Sequence, residues 1–284
     1  MIQLALVLTM LPAMLAATPD SLAGGIVVVC PEAFRPALAP WVAHRTGQGH
    51  RIEFVDNRGS AVEIRQAIRD RAKRGDVRFL LLVGDAEPGL ERDAALRSRC
   101  IPTHLVTAKV NIRWGSEAEI AGDNWYADLD DDQLPDLAVG RLTADTPAEL
   151  AAMVAKILRY ETGVDFGRWR QRIHFIAGLG GFGALADATI EACAKKFITD
   201  GVPTAYSTTM TQASWRSPYC PDPREFGQTT LGRLNEGCLF WVYIGHGHAR
   251  GLDRVTVPSG QYPILEMPDV RRMQCQQGSP IALF

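Results

Sequence analysis

Short apolar runs along the chain alternate with longer segments whose apolar residues recur at helical spacing. The apolar runs predict buried strands at residues 26–30, 52–55, 79–83, 137–140, 173–177, 238–244 and 281–284, and residues 101–108 and 203–208 are predicted as further strands. The longer segments predict helices at residues 34–46, 61–74, 184–199, 224–235 and 268–275 and one that starts at residue 147. Continuous apolar strands are typical of a sheet that is covered on both faces. The order of elements therefore predicts an α/β fold, a three-layer αβα sandwich around a mostly parallel sheet.

The clearest helix signal begins at Pro147, because proline suits the first position of a helix. Thr146 can cap this helix, and Glu149 completes a capping box. Residues 163–172 read as a link that follows it. We therefore predict two subdomains, residues 24–162 and residues 163–284.

Composition narrows the class of protein. The 284 residues have 46% hydrophobic content, which is enough for a sizeable core or for two subdomains. The formal net charge of -2 gives no basic field of the kind that nucleic-acid binding needs. A nucleic-acid partner is therefore not expected.

Residues 1–17 are uncharged, mostly apolar and end in small residues, which resembles a secretory signal peptide. No lysine or arginine precedes the apolar stretch, and the first basic residue is Arg35. A membrane anchor or a misassigned start is the alternative, although the stretch is at the lower limit for a membrane span. We predict export, to the periplasm, the cell surface or the medium, with no stable membrane span.

The apolar run 238–244 leads directly into Gly245-His246-Gly247-His248. In open α/β sheets, ligands and chemistry lie just beyond the carboxyl ends of the strands. Histidine titrates near neutral pH, and the flanking glycines let a substrate approach the backbone closely. His246 is therefore the first candidate for a general base.

Four segments occur in order along the chain: FLLLVGD (79–85), DNWYADLD (123–130), LPDLAVGR (134–141) and YIGHG (243–247). Together they resemble the gingipain family of cysteine peptidases, which has a caspase-like fold. The resemblance implies that His246 is the catalytic base and that the backbone N–H of Gly247 helps to hold the oxyanion. It also implies a cysteine nucleophile after the next core strand, and a protein or peptide substrate.

The next core strand is 281–284, so the expected nucleophile lies just beyond Phe284. None of the six cysteines is a good candidate for it. Cys238 precedes the histidine on its own strand, and Cys275 comes before the strand instead of after it. We therefore expect the chain to be an inactive piece of a longer cysteine endopeptidase. In an exported protein, Cys220 and Cys275 could pair.

Two other functions stay open at this point. The first is a non-catalytic caspase-like module for binding or secretion, which the residue after Phe284 would distinguish from an enzyme. The second is a nucleotide-binding domain, because Gly178, Gly180 and Gly183 have the spacing of a dinucleotide fingerprint. No clear ribose partner follows that loop, since Asp200 reads as the end of a helix.

The chemistry itself requires no cofactor, but a structural calcium ion is a candidate. Asp128, Asp130, Asp132 and Asp136 place carboxylates along one loop, and calcium takes oxygen ligands from such loops. The segment lacks the glycine and the closing glutamate of an EF-hand. Calcium binding in the resembled family favours the site, whereas a turn capped by aspartates is the alternative.

Three further polar positions are weaker candidates. Asp85 and Glu87 could orient the histidine, or they could be ordinary loop carboxylates. The resemblance suggests that Asp123 lines a specificity pocket, with a structural role as the alternative. His248 invites a zinc site, but no further ligands are evident.

Overall fold

The computed structural model describes residues 23–87, 90, 93–108, 118–178, 184–248 and 250–284. The predicted signal peptide, residues 1–17, lies outside these residues and stays a prediction. The chain divides into two compact units, the first ending at Thr162 and the second beginning at Gly163. No helix among the described residues combines the length and the apolar character that crossing a membrane requires.

The first unit is built on a four-stranded sheet in the order β2-β1-β3-β6, and every neighbouring pair is parallel. Its strands are β1 (Gly25–Val29), β2 (Arg51–Val55), β3 (Val77–Val83) and β6 (Ala138–Leu142). Its helices are α1 (Arg35–Gly47), α2 (Ala61–Ala72), α3 (Ala94–Arg99), α4 (Asn124–Ala127) and α5 (Pro147–Thr162).

The apolar run of β1 is continuous because both faces of the sheet are covered. Val27 and Val29 pack in a core with Ile64 and Ile68 of α2. Val28 faces the opposite way, into a second core that the residues of α1 and α5 complete. Side chains of a strand alternate between faces, so each face needs its own apolar residues. Helices on both faces confirm the three-layer α/β arrangement in this unit.

Two helices of this unit begin with capping boxes. Ser60 accepts the N–H of Glu63, whose carboxylate accepts the N–H of Ser60, at the start of α2. Thr146 and Glu149 exchange the same two bonds at the start of α5. The reciprocal bonds satisfy N–H groups that the first helical turn would leave unpaired. The helix start predicted at Pro147 is confirmed.

The chain segment that connects β3 to β6 contains a separate antiparallel ribbon of β4 (His104–Thr107) and β5 (Glu119–Gly122). The predicted strand at 101–108 is therefore shorter than expected, and its partner β5 was not predicted. Both strands are largely exposed, so their sequences lack the apolar alternation that a half-buried strand shows.

The second unit is built on a sheet in the order β14-β9-β7-β8, again with every pair parallel. Its strands are β7 (Arg172–Ala177), β8 (Ser207–Gln212), β9 (Phe240–Ile244) and β14 (Ile281–Leu283). Its helices are α6 (Ala184–Gly201), α7 (Phe226–Glu236) and α8 (Met267–Val270). Two antiparallel ribbons, β10 (Gly247–His248) with β11 (Gly251–Leu252) and β12 (Arg254–Val257) with β13 (Gly260–Pro263), follow β9.

Two predictions for this unit were wrong in detail, and one ribbon was not predicted. The strand expected at 203–208 is instead Ser207–Gln212, which pairs with β7 along its whole length. Its sequence, STTMTQ, is polar and therefore lacks the apolar pattern that identifies a buried strand. The β12–β13 ribbon was missed, because its strands are short and only partly apolar. The helix expected at 268–275 is the single turn Met267–Val270.

Candidate active site

The candidate site lies at the carboxyl edge of the second sheet. Because β7, β8, β9 and β14 are parallel, all four end at this edge. Strand β14 pairs directly with β9, with Ile281 opposite Phe240 and Leu283 opposite Val242. Gly245 and His246 follow the end of β9 directly. If this pairing continues, Phe284 lies opposite Tyr243. The end of β14 is therefore close to the start of residues 245–248, called the histidine loop below.

Hydrogen bonds to two residues, Tyr243 and Asp253, hold the backbone of His246. Its N–H donates to Oδ2 of Asp253 at 2.9 Å. Its carbonyl oxygen accepts from the hydroxyl of Tyr243 at 2.8 Å and from the N–H of Asp253 at 3.0 Å. Residue 246 itself is exposed at the surface. The loop thus fixes the backbone of the histidine while leaving the residue accessible.

Tyr243 is buried in the sheet, 4% exposed, and its ring lies nearly parallel to that of Trp241 at 6.2 Å. Burial raises the pKa of the Tyr243 phenol well above its usual range. The hydroxyl therefore stays protonated at physiological pH and can act as a donor. Its oxygen is also 3.1 Å from Oδ2 of Asp253.

Two glycines leave room for this pair. A Cβ on Gly178, at the end of β7, would lie 2.4 Å from Oδ2 of Asp253 and 2.6 Å from the Tyr243 hydroxyl oxygen. A Cβ on Gly245 would lie 2.5 Å from that hydroxyl oxygen. Real Cβ atoms do not approach other atoms so closely, so both positions require glycine for packing.

Gly247 is placed differently. A Cβ there would have the Gly251 carbonyl oxygen, at 3.9 Å, as its nearest neighbour among the described atoms. Gly247 is exposed, so there is open space on the side where a side chain would stand. His248, the next residue, accepts the N–H of Arg250 on Nδ1 at 3.3 Å.

The five cysteines that the structure describes are free thiols, and the pairing of Cys220 with Cys275 that the sequence allowed is not formed. Burial raises the pKa of Cys30 and of Cys238 to about 12. Burial also raises the pKa of Cys100, Cys220 and Cys275. A reactive cysteine has a lowered pKa, so each of these thiols has the wrong environment for a nucleophile. The side chain of Cys193 lies outside the described part.

The aspartate loop of the first unit brings three of its four candidate ligands together. Carboxylate oxygens of Asp128, Asp130 and Asp136 lie within 4.8 Å of one another, and Asp132 is not in this group. Oδ1 of Asp132 instead accepts the N–H of Leu134 at 2.8 Å.

Neighbouring groups already offset part of the negative charge of these aspartates. Asp128 is buried and accepts the N–H groups of Asp131 and Gln133, and the guanidinium of Arg65 lies 3.3 Å from its Oδ2. Asp136 accepts the N–H of Leu129 on Oδ2. The alternating aspartates therefore shape the turn, as the alternative interpretation expected, and also bring three carboxylates close together.

Asp123 is already paired inside the first unit. Its two oxygens each accept a hydrogen bond of 2.7 Å from Arg141, whose side chain is largely buried. Arg141 also donates to the carbonyl oxygens of Gly84 and Ile101. A bidentate internal arginine occupies the carboxylate, so the structural role left open for Asp123 is the better supported one.

The candidate acids Asp85 and Glu87 belong to the first unit, whereas His246 belongs to the second. Their carboxylates form a group with Asp145, and Oδ1 of Asp85 accepts the N–H of Ala86 at 2.8 Å. Their role in orienting the histidine stays a prediction.

The rival glycine fingerprint falls mostly on residues 179–183, which lie outside the described part. Asp200, considered as a ribose partner, lies within α6 and pairs with Lys196 four residues earlier. Gly178 itself is accounted for by its close contact with Tyr243 and Asp253.

Comparison with known proteins decides the family. The model of peptidase family C25 matches residues 20–284. The chain belongs to peptidase family C25. This is the gingipain family of cysteine peptidases, and the resemblance seen in the four sequence segments is confirmed.

A solved structure described as "Structure of Protease" shares the fold, with a TM-score of 0.62 and 18% sequence identity. The match covers 94% of this chain and 52% of the solved one, so the chain spans about half the length of that protease. The predicted caspase-like α/β fold is confirmed. No curated protein matches the chain.

Sequence reasoning identified His246 but gave no role to Tyr243 and missed Asp253. The tyrosine is part of the YIGHG segment, and its place on a buried strand concealed a polar role. Asp253 comes seven residues after the histidine, in a stretch without periodicity. Only the fold of the β10–β11 ribbon returns it to the histidine backbone.

Proposed function

We propose that this chain forms part of an exported cysteine endopeptidase in which His246 is the general base. The observation that carries the proposal is the direct parallel pairing of β9 with β14. The two strands end at the same edge, as the chemistry requires of the elements that carry an imidazole and a thiol. Membership of a cysteine peptidase family supports the same reaction.

The proposed nucleophile is a cysteine at the position that follows Phe284. Within the described residues, each thiol has a pKa that burial raises, which speaks against all five as nucleophiles. Extending the observed register by two residues from Leu283 opposite Val242 puts that position beside Ile244. Neighbouring strands are about 4.8 Å apart, so a side chain there is within reach of the segment that bears His246.

The reaction follows from these positions. The imidazole of His246 takes the proton of the thiol, and the thiolate attacks the carbonyl carbon of the scissile peptide bond. The carbonyl oxygen gains negative charge, and the backbone N–H of Gly247, an exposed residue, helps to stabilise it. The imidazolium then protonates the leaving amine, which leaves a thioester. Water hydrolyses the thioester and restores the thiol.

Thiol chemistry in the full-length protein is the test of this proposal. We expect hydrolysis of a peptide substrate that iodoacetamide abolishes and that a serine-directed fluorophosphonate leaves unchanged. Residues 1–284 alone are expected to be inactive. A full-length protein with a residue other than cysteine after Phe284 and no hydrolysis would favour the alternative, a non-catalytic caspase-like module.

We also propose a structural calcium ion at the loop of the first unit. Asp128, Asp130 and Asp136 offer clustered carboxylate oxygens, the donors that calcium takes, and a divalent cation would relieve the repulsion among them. Asp128 already receives bonds from Arg65 and from backbone N–H groups, so Asp130 and Asp136 would supply most of the free oxygens. The ion would hold the loop in place and supply no chemistry.

The calcium proposal predicts a difference in thermal stability. In calcium at roughly a hundred times its dissociation constant, binding to the folded state stabilises by about 2.7 kcal/mol, enough to raise the Tm by several degrees over that in EDTA. Asp136→Asn should remove this difference, whereas Asp132→Asn should keep it, because Asp132 is outside the group. An unchanged Tm of the wild-type protein on adding calcium would refute the site.

A further inference from the structure

Tyr243 and Asp253 form hydrogen bonds with both polar groups of the His246 backbone, the N–H and the carbonyl oxygen. Asp253 accepts its N–H, at 2.9 Å, and Tyr243 donates to its carbonyl oxygen, at 2.8 Å. The N–H of Asp253 donates to the same carbonyl oxygen at 3.0 Å. Resting on the function proposed above, we infer that Tyr243 and Asp253 are positioning residues that hold His246 where it can act as base.

The histidine needs such support because of its neighbours in the chain. Gly245 and Gly247 flank it, and glycine leaves the backbone more conformational freedom than any other residue. A general base must lie within hydrogen-bond reach of the proton that it takes. Bonds to both polar groups of its backbone restrict the loop through the main chain of the residue.

The anchors themselves are rigid. Tyr243 is buried in the central part of the sheet and stacks on Trp241, so its hydroxyl has a fixed position. Asp253 also lies against the Tyr243 hydroxyl: its Oδ2 is 3.1 Å from the hydroxyl oxygen, and its N–H, shared with the His246 carbonyl oxygen, is 3.2 Å from it. Asp253 also follows β11, whose pairing with β10 brings the chain back to the histidine loop.

The surrounding packing leaves this arrangement little freedom to move. Gly178 and Gly245 approach the Tyr243 hydroxyl so closely that a Cβ on either would lie within 2.6 Å of its oxygen. Strand β7 thus contributes to the support of a histidine that follows β9. The N–H of Gly178 also donates to the carbonyl oxygen of Ile244, at 2.8 Å, just before the loop.

The test replaces each anchor in the full-length protein and follows both catalysis and the histidine loop. Tyr243→Phe keeps the ring and removes the hydroxyl. Asp253→Ala removes the acceptor, whereas Asp253→Asn keeps one side-chain oxygen that can accept the N–H of His246. Tyr262→Phe is the matched control, since this tyrosine is on β13 and its side chain has no hydrogen bond to the histidine loop among those the structure describes.

We expect Tyr243→Phe and Asp253→Ala to lower kcat about tenfold or more with little change in KM, at a temperature where each variant is fully folded. Loss of one or two hydrogen bonds corresponds to a factor of this size. Asp253→Asn should recover most of kcat. Hydrogen–deuterium exchange at the His246 amide should become at least about tenfold faster in Asp253→Ala and stay slow in Asp253→Asn and Tyr262→Phe.

Wild-type kcat together with unchanged amide exchange in both Tyr243→Phe and Asp253→Ala would overturn the inference. So would a lower Tm with unchanged kcat, because that is the result of a purely structural role. Failure of the proposed function is distinguishable from either result. In that case the wild-type full-length protein itself would show no hydrolysis that depends on His246.

Discussion

Replacing His246 with alanine is expected to lower kcat/KM of the full-length protein by on the order of a hundredfold or more, as loss of a general base does. The reason is the position of the residue, two residues past the end of β9, the strand with which β14 pairs. Without the imidazole, the thiol has no neighbouring group to take its proton and the leaving amine has no acid. His246→Gln should be equally impaired, because an amide can donate hydrogen bonds but cannot accept a proton at neutral pH.

His248→Ala is the matched control for this prediction. His248 is exposed, two residues along the same loop, and pairs through Nδ1 with the N–H of Arg250. Its removal should leave kcat/KM close to the wild-type value. Steady-state kinetics with one peptide substrate compares all three variants. Wild-type turnover in His246→Ala, or a greater loss in His248→Ala, would exclude His246 as the base.

Trp241→Ala is expected to lower the free energy of unfolding by about 3–5 kcal/mol, the range for truncating a large aromatic side chain in a core. Trp241 is 1% exposed and packs in one core with Phe226 and Leu234 of α7. It also stacks on Tyr243 and meets the ring of Phe284 edge-on at 5.6 Å. Its loss would leave a cavity beneath the strand that carries the histidine.

The comparison for this variant is Trp215→Ala, at a tryptophan that is 49% exposed in the loop after β8. Chemical denaturation should show less than about 1 kcal/mol of change there, as is usual for surface positions. A similar loss in the two variants would mean that Trp241 is not part of a tightly packed core. If Trp241→Ala folds too poorly to measure, Trp241→Phe should give a smaller loss in the same direction.

Strands could be predicted where apolar residues follow one another in sequence. Strands β1 and β9 are apolar throughout, and β3 and β7 are apolar apart from Arg78, Arg172 and His174. Such runs are typical of sheets that are covered on both faces. Strand β8 carries alternating threonines, so its pairing with β7 depends on tertiary contacts that no local pattern reports. Propensity is a weak guide for such strands.

In the candidate site, too, local sequence patterns predicted some residues, whereas tertiary contacts determined the others. His246 could be predicted because a strand, two glycines and a histidine follow one another in sequence. Asp253 could not, since its contact with the histidine depends on the β10–β11 ribbon returning the chain. The aspartate loop was predicted as four ligands, but Asp132 lies outside the cluster because its carboxylate accepts the N–H of Leu134. Whether an aspartate joins the cluster depends on the direction of its side chain in the turn, and the spacing of residues in the sequence does not determine that direction.

Mapping the residue that an irreversible peptidyl ketone labels in the full-length protein tests the central claim most directly. We expect one modified cysteine, immediately after Phe284, with labelling that falls sharply in His246→Ala. Peptide mass spectrometry after digestion identifies the modified position. A label on Cys220, Cys275 or another thiol of this chain, or on a residue that is not a cysteine, would contradict a nucleophile beside the histidine at this edge of the sheet.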